Sequence, residues 1–317
     1  MTARAERVAL ITGAAGFAGR HLVAELEAET DWDIVGLSRK TARIGARARS
    51  VACDLLDRSH LDRVIGRYRP DVVFHLAAQS YVPKAFADPA ATLSNNIVGQ
   101  VNLFQALLKH DLRPTVVVVS SSEIYGPVED ADLPVDESAP LRPANPYAVS
   151  KAAQDLLGFQ YFYSERLPVV RVRPFNHAGP GQSDRFVVSG FARQVAEAEA
   201  GKTEPGLLVG NLEAQRDFLD VRDVVRAYRL VADAGEPGEV YNIASGRPRS
   251  IASIVERLVA MATIPLEVRQ DPARMRPADT PVIYGDATKL IERVGWQPVI
   301  PIEQTLADTL AYWRARV

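Results

Sequence analysis

The chain has 317 residues, of which 47% are apolar and 24% charged, with a formal net charge of -2. At about 150 residues per domain this gives one or two domains with ample core, and the composition excludes a disordered chain. The charge balance excludes a global basic field for nucleic acid. A single cysteine, Cys53, excludes an intrachain disulfide and a cysteine-built zinc site.

The first predicted strand, Val8 to Thr12, is too short for the core of a signal peptide. The longest aliphatic run, Val116 to Val119, falls far below the roughly 20 residues that span a bilayer. No membrane partner and a cytoplasmic location are therefore expected. The five histidines (His21, His60, His75, His110, His177) include no pair at ligand spacing, so no metal is expected either.

The first strand runs into Thr12-Gly13-Ala14-Ala15-Gly16-Phe17-Ala18-Gly19 and a helix over Phe17 to Glu29. Gly13 allows a tight turn, Gly16 lets the backbone approach a pyrophosphate, and Gly19 lets the helix sit close to the sheet. The helix N-terminus adds free N–H groups and partial positive charge. Strand, loop and helix at the start of a βαβ unit form the setting a dinucleotide loop needs. The second strand, Ile34 to Leu37, ends in Ser38-Arg39-Lys40, where an NAD enzyme usually places an acid for the ribose 2′-hydroxyl. Arg39 suits a 2′-phosphate instead, which favours NADP(H) with NAD(H) as the alternative.

A third strand over Val72 to Leu76 is followed by a predicted helix from Ala90 to Lys109, with Leu93, Ile97, Val101, Phe104 and Leu108 at three- and four-residue steps. The strand Val116 to Val119 ends in Ser120-Ser121-Ser122-Glu123-Ile124-Tyr125-Gly126, where a hydroxyl can polarise a carbonyl and Glu123 can serve as general acid or base. The next predicted helix, Tyr147 to Glu165 with Pro146 in its first turn, puts Tyr147 and Lys151 on one face. A tyrosine ordinarily ionises near pH 10, and a neighbouring ammonium lowers that value.

After the strand Val169 to Val172 the pattern breaks at about Arg173, and Pro and Gly thicken. A helix over Asp220 to Asp233, a strand over Val240 to Ala244, and helices over Ser250 to Ala262 and Ile302 to Arg316 follow. Strands alternating with helices predict an α/β fold with a parallel sheet, and the mixed remainder predicts a smaller lobe interleaved with it.

The glycine loop, Asp54-Leu55, His75-Leu76-Ala77-Ala78-Gln79-Ser80, Ser120 to Gly126, the Tyr147/Lys151 pair and Arg173-Pro174-Phe175-Asn176 together resemble the extended short-chain dehydrogenase/reductases. More narrowly, Asn176 to Gln182, Phe186-Val187-Val188, Val209 to Phe218 and Arg276 to Pro281 are similar to the GDP-mannose 4,6-dehydratase branch of that family, and most so to its 4-ketoreductase side. The resemblance implies a Rossmann doubly wound parallel sheet with a C-terminal substrate lobe. Residues 1–173, joined by 217–245, would form the NADP-binding part, and 174–216 with 246–317 mainly the lobe.

It further implies that Ser121, Glu123, Tyr147 and Lys151 are catalytic, with Tyr147 as proton donor. Gly13, Gly16, Phe17, Ala18, Gly19, Arg39, Asp54, Leu55, Leu76, Ala77, Ala78 and Gln79 would line the cofactor together with Tyr147 and Lys151. Ser80, Ser122, Asn176, Arg216 and Arg276 would hold a GDP-linked deoxyhexose. Two guanidiniums suit a pyrophosphate, although Arg216 beside Asp217 also reads as a simple ion pair.

The activity implied is NADPH-dependent reduction of the C4 ketone of GDP-4-keto-6-deoxy-D-mannose to GDP-D-rhamnose. GDP-mannose 4,6-dehydration, a dual activity or another nucleotide-sugar epimerase or dehydratase is the alternative, and a noncatalytic NADP-binding sensor the remote one. The dehydratase pattern carries an Arg-Lys pair after Phe186-Val187, where this chain has Ser189 and Gly190. A homodimer or homotetramer through the helices at 90–109 and 147–165 is expected, with Leu103, Phe104, Leu156 and Phe159 as candidate contacts.

Overall fold

The computed structural model describes residues 7–274 and 280–317. The chain opens with Val8–Thr12 (β1), Phe17–Glu29 (α1), Asp33–Ser38 (β2), Arg49–Ala52 (β3), Arg58–Tyr68 (α2) and Val72–His75 (β4). Val82–Ala87 (α3), Pro89–Leu93 (α4), Gly99–Lys109 (α5), Thr115–Val119 (β5), Pro146–Glu165 (α6) and Val169–Pro174 (β6) follow. Next come Asn176–Ala178 (β7), Val187–Glu199 (α7), Gly206–Val209 (β8), Gln215–Asp220 (β9), Val221–Ala234 (α8) and Val240–Ile243 (β10). Pro248–Ser250 (β11), Ile251–Ala260 (α9), Glu267–Gln270 (β12), Val282–Ile283 (β13), Thr288–Val294 (α10) and Ile302–Arg314 (α11) complete the elements.

A seven-stranded parallel sheet runs in the order β10-β6-β5-β4-β1-β2-β3. Its central strands β1, β4 and β5 are largely apolar because both faces are covered. Alternation along each strand deals side chains to two cores. Ala9, Ile11, Val72, Phe74, Val117, Val170 and Val172 face α1 and α8. Leu10, Val73, Val116, Val118 and Val169 face the side covered by α2 and α5. The chain moves from β1 to β2 and β3 on one side and from β4 to β6 on the other. The strand order therefore reverses between β1 and β4, which is where an open α/β sheet leaves its ligand crevice.

The predicted helix from Ala90 to Lys109 is helical throughout, from Pro89 to Lys109, but it is not a regular α-helix. Ser94–Val98 forms a π-helical turn between α4 and α5, and such widened turns recur where a helix must aim one side chain inward. Leu103 and Phe104, expected as candidate contacts between copies, are instead fully buried in the sheet-facing core, Phe104 edge-on to Tyr161. Leu156 and Phe159 on α6 are exposed, at 57% and 45%. The helix expected over Asp220 to Asp233 is α8, and Asp220 stands as its N-cap. It caps α8 by accepting from the Arg222 N–H, and its other oxygen accepts from the Thr305 hydroxyl on α11.

Beyond β6, β9 pairs with β7, β11 and β13, while β8 pairs with β12. Helices α7, α9 and α11 pack together around Val188, Phe191, Val195, Ile254, Leu258 and Leu306. Segments on both sides of β10 supply this second core, so the chain leaves the lobe to add the last strand of the main sheet and then returns. None of the described helices is long and apolar enough to cross a membrane.

Candidate active site

The crevice between β1 and β4 is floored by glycines that leave no room for side chains. Gly13 adopts φ +75°, and a Cβ there would sit 3.0 Å from the Cα and N of Ala77 in the loop after β4. A Cβ on Gly16 would meet the Gly13 carbonyl at 3.0 Å, and one on Gly19 would meet it at 2.3 Å. The N–H groups of Gly13 and Ala14 donate to the Leu37 carbonyl, which fixes the loop against β2. Gly16 caps α1 with no side chain over the helix end. These features fit a dinucleotide: a narrow backbone cradle with helix N–H groups pointing out of it.

At one end of the crevice Arg39 and Lys40 are exposed after β2. Cys53 N–H donates to the Ser38 carbonyl, which sets Asp54 and Leu55 beside them. Leu76, Ala77, Ala78 and Gln79 line the other wall, partly buried, and Ser80 is exposed beyond them. Ala18 is partly buried in the first turn of α1. The Phe17 ring stacks on His177 at 6.1 Å between centroids and meets His21 edge-on at 5.4 Å, which joins the glycine loop to the lobe. The His177 ring bonds the Phe175 carbonyl, and burial holds its pKa below the usual value.

The π-helical turn explains how Gln79 is held. It points buried Asn96 inward, whose amide accepts from the Gln79 N–H at 2.7 Å and donates to the Gln79 carbonyl and the Ser150 hydroxyl. Ser150 in turn donates to the Tyr147 carbonyl. This wall of the crevice and the tyrosine turn are thus one hydrogen-bonded unit. Asn96 is absent from the sequence-derived set, and its signal is a polar Asn95-Asn96 pair inside an otherwise apolar helical pattern.

Tyr147 lies in the first turn of α6, capped by Asn145, whose side chain accepts from the Ala148 N–H at 2.8 Å. The Asn145 amide also donates to Glu123 at 3.1 Å, so one residue starts the helix and pins the acid. Ser121 accepts from the Glu123 N–H in the turn after β5, and Ser122 is buried in that turn. Burial pushes the Tyr147 phenol up to about 12; the Ser121 hydroxyl pulls it down and the Glu123 charge pushes it further up. The expected lowering by Lys151 is not what governs it. The Lys151 ammonium donates to Gln154 Oε1 at 2.7 Å, and burial pushes its own pKa down to about 7 against the pull of Asp155.

On the lobe side Asn176 opens β7, paired with Phe218 of β9, and Arg216 lies on the same strand, partly buried. Among the described residues the Asp217 carboxylate is taken up by groups other than Arg216. The Asp217 carboxylate is fully buried and accepts from the Ser245, Gly246 and Gly285 N–H groups. Burial still raises its pKa. Arg276 lies outside the described residues. Ser189 is buried, bonding the Gln182 carbonyl and the Trp313 indole, and a Cβ at Gly190 would meet the Asp184 carbonyl at 2.5 Å. Neither position has room for the Arg-Lys pair of the dehydratase pattern. Among the described residues no three His, Cys, Asp or Glu side chains gather as a metal would require.

A family model described as GDP-mannose 4,6 dehydratase matches residues 10–309. The GDP-6-deoxy-D-mannose reductase of Pseudomonas aeruginosa is 42% identical over 97% of both chains. The GDP-mannose 4,6-dehydratase of Yersinia enterocolitica is 28% identical over 96% of this chain and 92% of its own. The solved structure of RMD from Pseudomonas aeruginosa complexed with NADPH superposes with a TM-score of 0.88 at 40% identity, covering 98% of this chain and 100% of that one. Glycine cradle, tyrosine–lysine helix turn and end-to-end similarity agree, and the chain belongs to the GDP-mannose 4,6-dehydratase family.

Proposed function

We propose that this chain is an NADPH-dependent 4-ketoreductase that converts GDP-4-keto-6-deoxy-D-mannose to GDP-D-rhamnose. The observation that carries this reading is the 42% identity, across both full lengths, with a GDP-6-deoxy-D-mannose reductase. Two features of the site support it. A donor in a reduction must hold its proton at neutral pH, and the Tyr147 phenol, pushed up to about 12, does so. The closed positions Ser189 and Gly190 depart from the dehydratase in the same direction.

Bound NADPH would supply the hydride that becomes the C4 hydrogen. Gly13, Gly16, Phe17, Ala18 and Gly19 would hold its pyrophosphate, with Arg39, Asp54 and Leu55 at the adenosine end and Leu76, Ala77, Ala78, Gln79 and Lys151 along the nicotinamide half. Tyr147 gives its proton to the C4 oxygen, and the Ser121 hydroxyl donates to the same oxygen. Both bonds strengthen as negative charge develops there, which is the differential binding that accelerates a reaction. Asn176, Arg216, Ser80, Ser122 and Arg276 would hold the sugar nucleotide.

Incubation with GDP-mannose alone should give no 4-keto product. A mixture of the 4-keto sugar nucleotide and NADPH should give GDP-D-rhamnose, identified by NMR. The second reading, GDP-mannose 4,6-dehydration, is favoured by Glu123, which stands pinned beside Tyr147. A 4-keto product from GDP-mannose alone would establish it.

Arg39→Ala should raise the KM for NADPH by about 10- to 100-fold, the loss of a charge-assisted bond to a phosphate, and leave NADH use unchanged. Equal loss with both cofactors would remove Arg39 from the 2′-phosphate site. We also infer a homodimer or homotetramer through the exposed face of α6, where Val149, Leu156, Phe159 and Tyr163 stand 42%, 57%, 45% and 69% exposed. Leu156→Glu should then halve the mass measured by light scattering. A single free cysteine fits work in the cytoplasm, where thiols stay reduced.

A further inference from the structure

Behind Lys151 runs a chain of neutral side chains that the proposed mechanism does not use. Gln154, one helical turn on, accepts from the lysine ammonium through Oε1 at 2.7 Å. Its Nε2 donates to His75 Nε2 at 3.1 Å, and His75 Nδ1 meets Thr12 Oγ1 at 2.8 Å. Thr12 Oγ1 also accepts from the Ala77 N–H. Gln154 and Thr12 are 0% exposed, His75 1% and Lys151 2%. The chain crosses from α6 over the ends of β4 and β1 to the residue before Gly13.

Its direction follows from donors and acceptors. An ammonium has only donors, so Gln154 must turn its carbonyl oxygen to Lys151 and its NH₂ to His75. His75 Nε2 is then an acceptor, Nδ1 carries the proton, and the proton goes to the Thr12 oxygen. Burial pushes the His75 pKa down to about 3, which keeps the ring neutral and able to accept. We propose that Gln154, oriented by His75 on Thr12, is a positioning residue that holds the Lys151 ammonium at the catalytic tyrosine turn.

What Lys151 does rests on the reductase reading; where its ammonium is held does not. The other groups facing it are known. Asp155 on the same helix is engaged by Arg171 and Arg173, His75 faces it from β4, Tyr147 lies one turn back, and Glu123 faces Tyr147 from the turn after β5.

The test follows the Cε resonance of Lys151 by ¹³C NMR in protein labelled at its six lysines, assigned with Lys151→Met, alongside the pH profile of ketone reduction. Gln154→Met removes the acceptor, so the Lys151 midpoint should fall by about one pH unit, and the alkaline limb of kcat should move down with it. Near neutral pH kcat should drop on the order of tenfold, as expected for one lost hydrogen bond to a charge. Gln154→Glu places a carboxylate there and should move both the other way. His75→Phe should shift the midpoint downward, by less than Gln154→Met.

Opposite shifts in the Met and Glu variants are not what a packing role alone gives. Midpoints unchanged in both would overturn the proposal. If the wild-type protein reduces no 4-keto sugar while the midpoints still move in opposite directions, the reductase reading fails and the positioning role stands.

Discussion

Tyr147→Phe is expected to lower kcat for ketone reduction by about 10²- to 10⁴-fold, the range for losing a positioned proton donor. NADPH binding, measured by fluorescence titration, should stay within about twofold, because the glycine cradle and the Gln79 wall do not depend on the phenol oxygen. The backbone unit that holds the turn survives the change, since Ser150 bonds the Tyr147 carbonyl and Asn145 caps the helix through Ala148. A variant that kept full activity on every 4-keto sugar nucleotide tested would remove Tyr147 from the donor role. A variant that lost cofactor affinity and activity together would make the phenol oxygen a contact of the cofactor site instead.

The largest effect on stability is expected at Asp155. Its carboxylate, 0% exposed, accepts from Arg171 at 3.0 Å and from Arg173 at 2.9 and 3.0 Å. Arg173 bonds the Tyr125 hydroxyl as well, and Tyr125 donates to Asn242 on β10. Asp155→Ala strands two buried guanidiniums and should cost about 3–5 kcal/mol, read as a lower urea midpoint at an unchanged slope. Replacing both arginines by methionine in the same chain should recover part of that loss, because the unpaired buried charge is the main cost of breaking such a cluster. A loss under about 1 kcal/mol would show that water reaches the guanidiniums.

Much of the nucleotide side was legible because its signals are local. Gly13, Gly16 and Gly19 are read from spacing, the strands from runs such as Val116 to Val119, and the Tyr147/Lys151 pair from one helical turn. What stayed hidden depends on distant partners. A π-helical turn adds a residue to one turn without breaking the apolar period, so the helix through Ser94–Val98 read as regular α-helix. Strand β9 carries the polar run Gln215-Arg216-Asp217 and has partners of two or three residues, too short for alternation to show. Periodicity marked Leu103 and Phe104 as apolar but could not say whether the chain's own sheet or a second copy covers them. The Gln154 to His75 bond joins residues 79 positions apart, beyond any local pattern.

The way β10 closes the main sheet bears on how this protein is made. Strand β6 ends at Pro174, yet its outer neighbour is Val240–Ile243, with the first half of the lobe synthesised in between. During translation β6 therefore waits as a bare edge of unpaired N–H and C=O groups, the surface through which strands of different chains join wrongly. A fragment cut after Arg173 would keep that edge permanently and expose the apolar face that α8 covers. The nucleotide-binding half is thus not a separable cassette. Fusions or split versions should keep β6, α8 and β10 on one polypeptide, with breaks placed elsewhere in the chain.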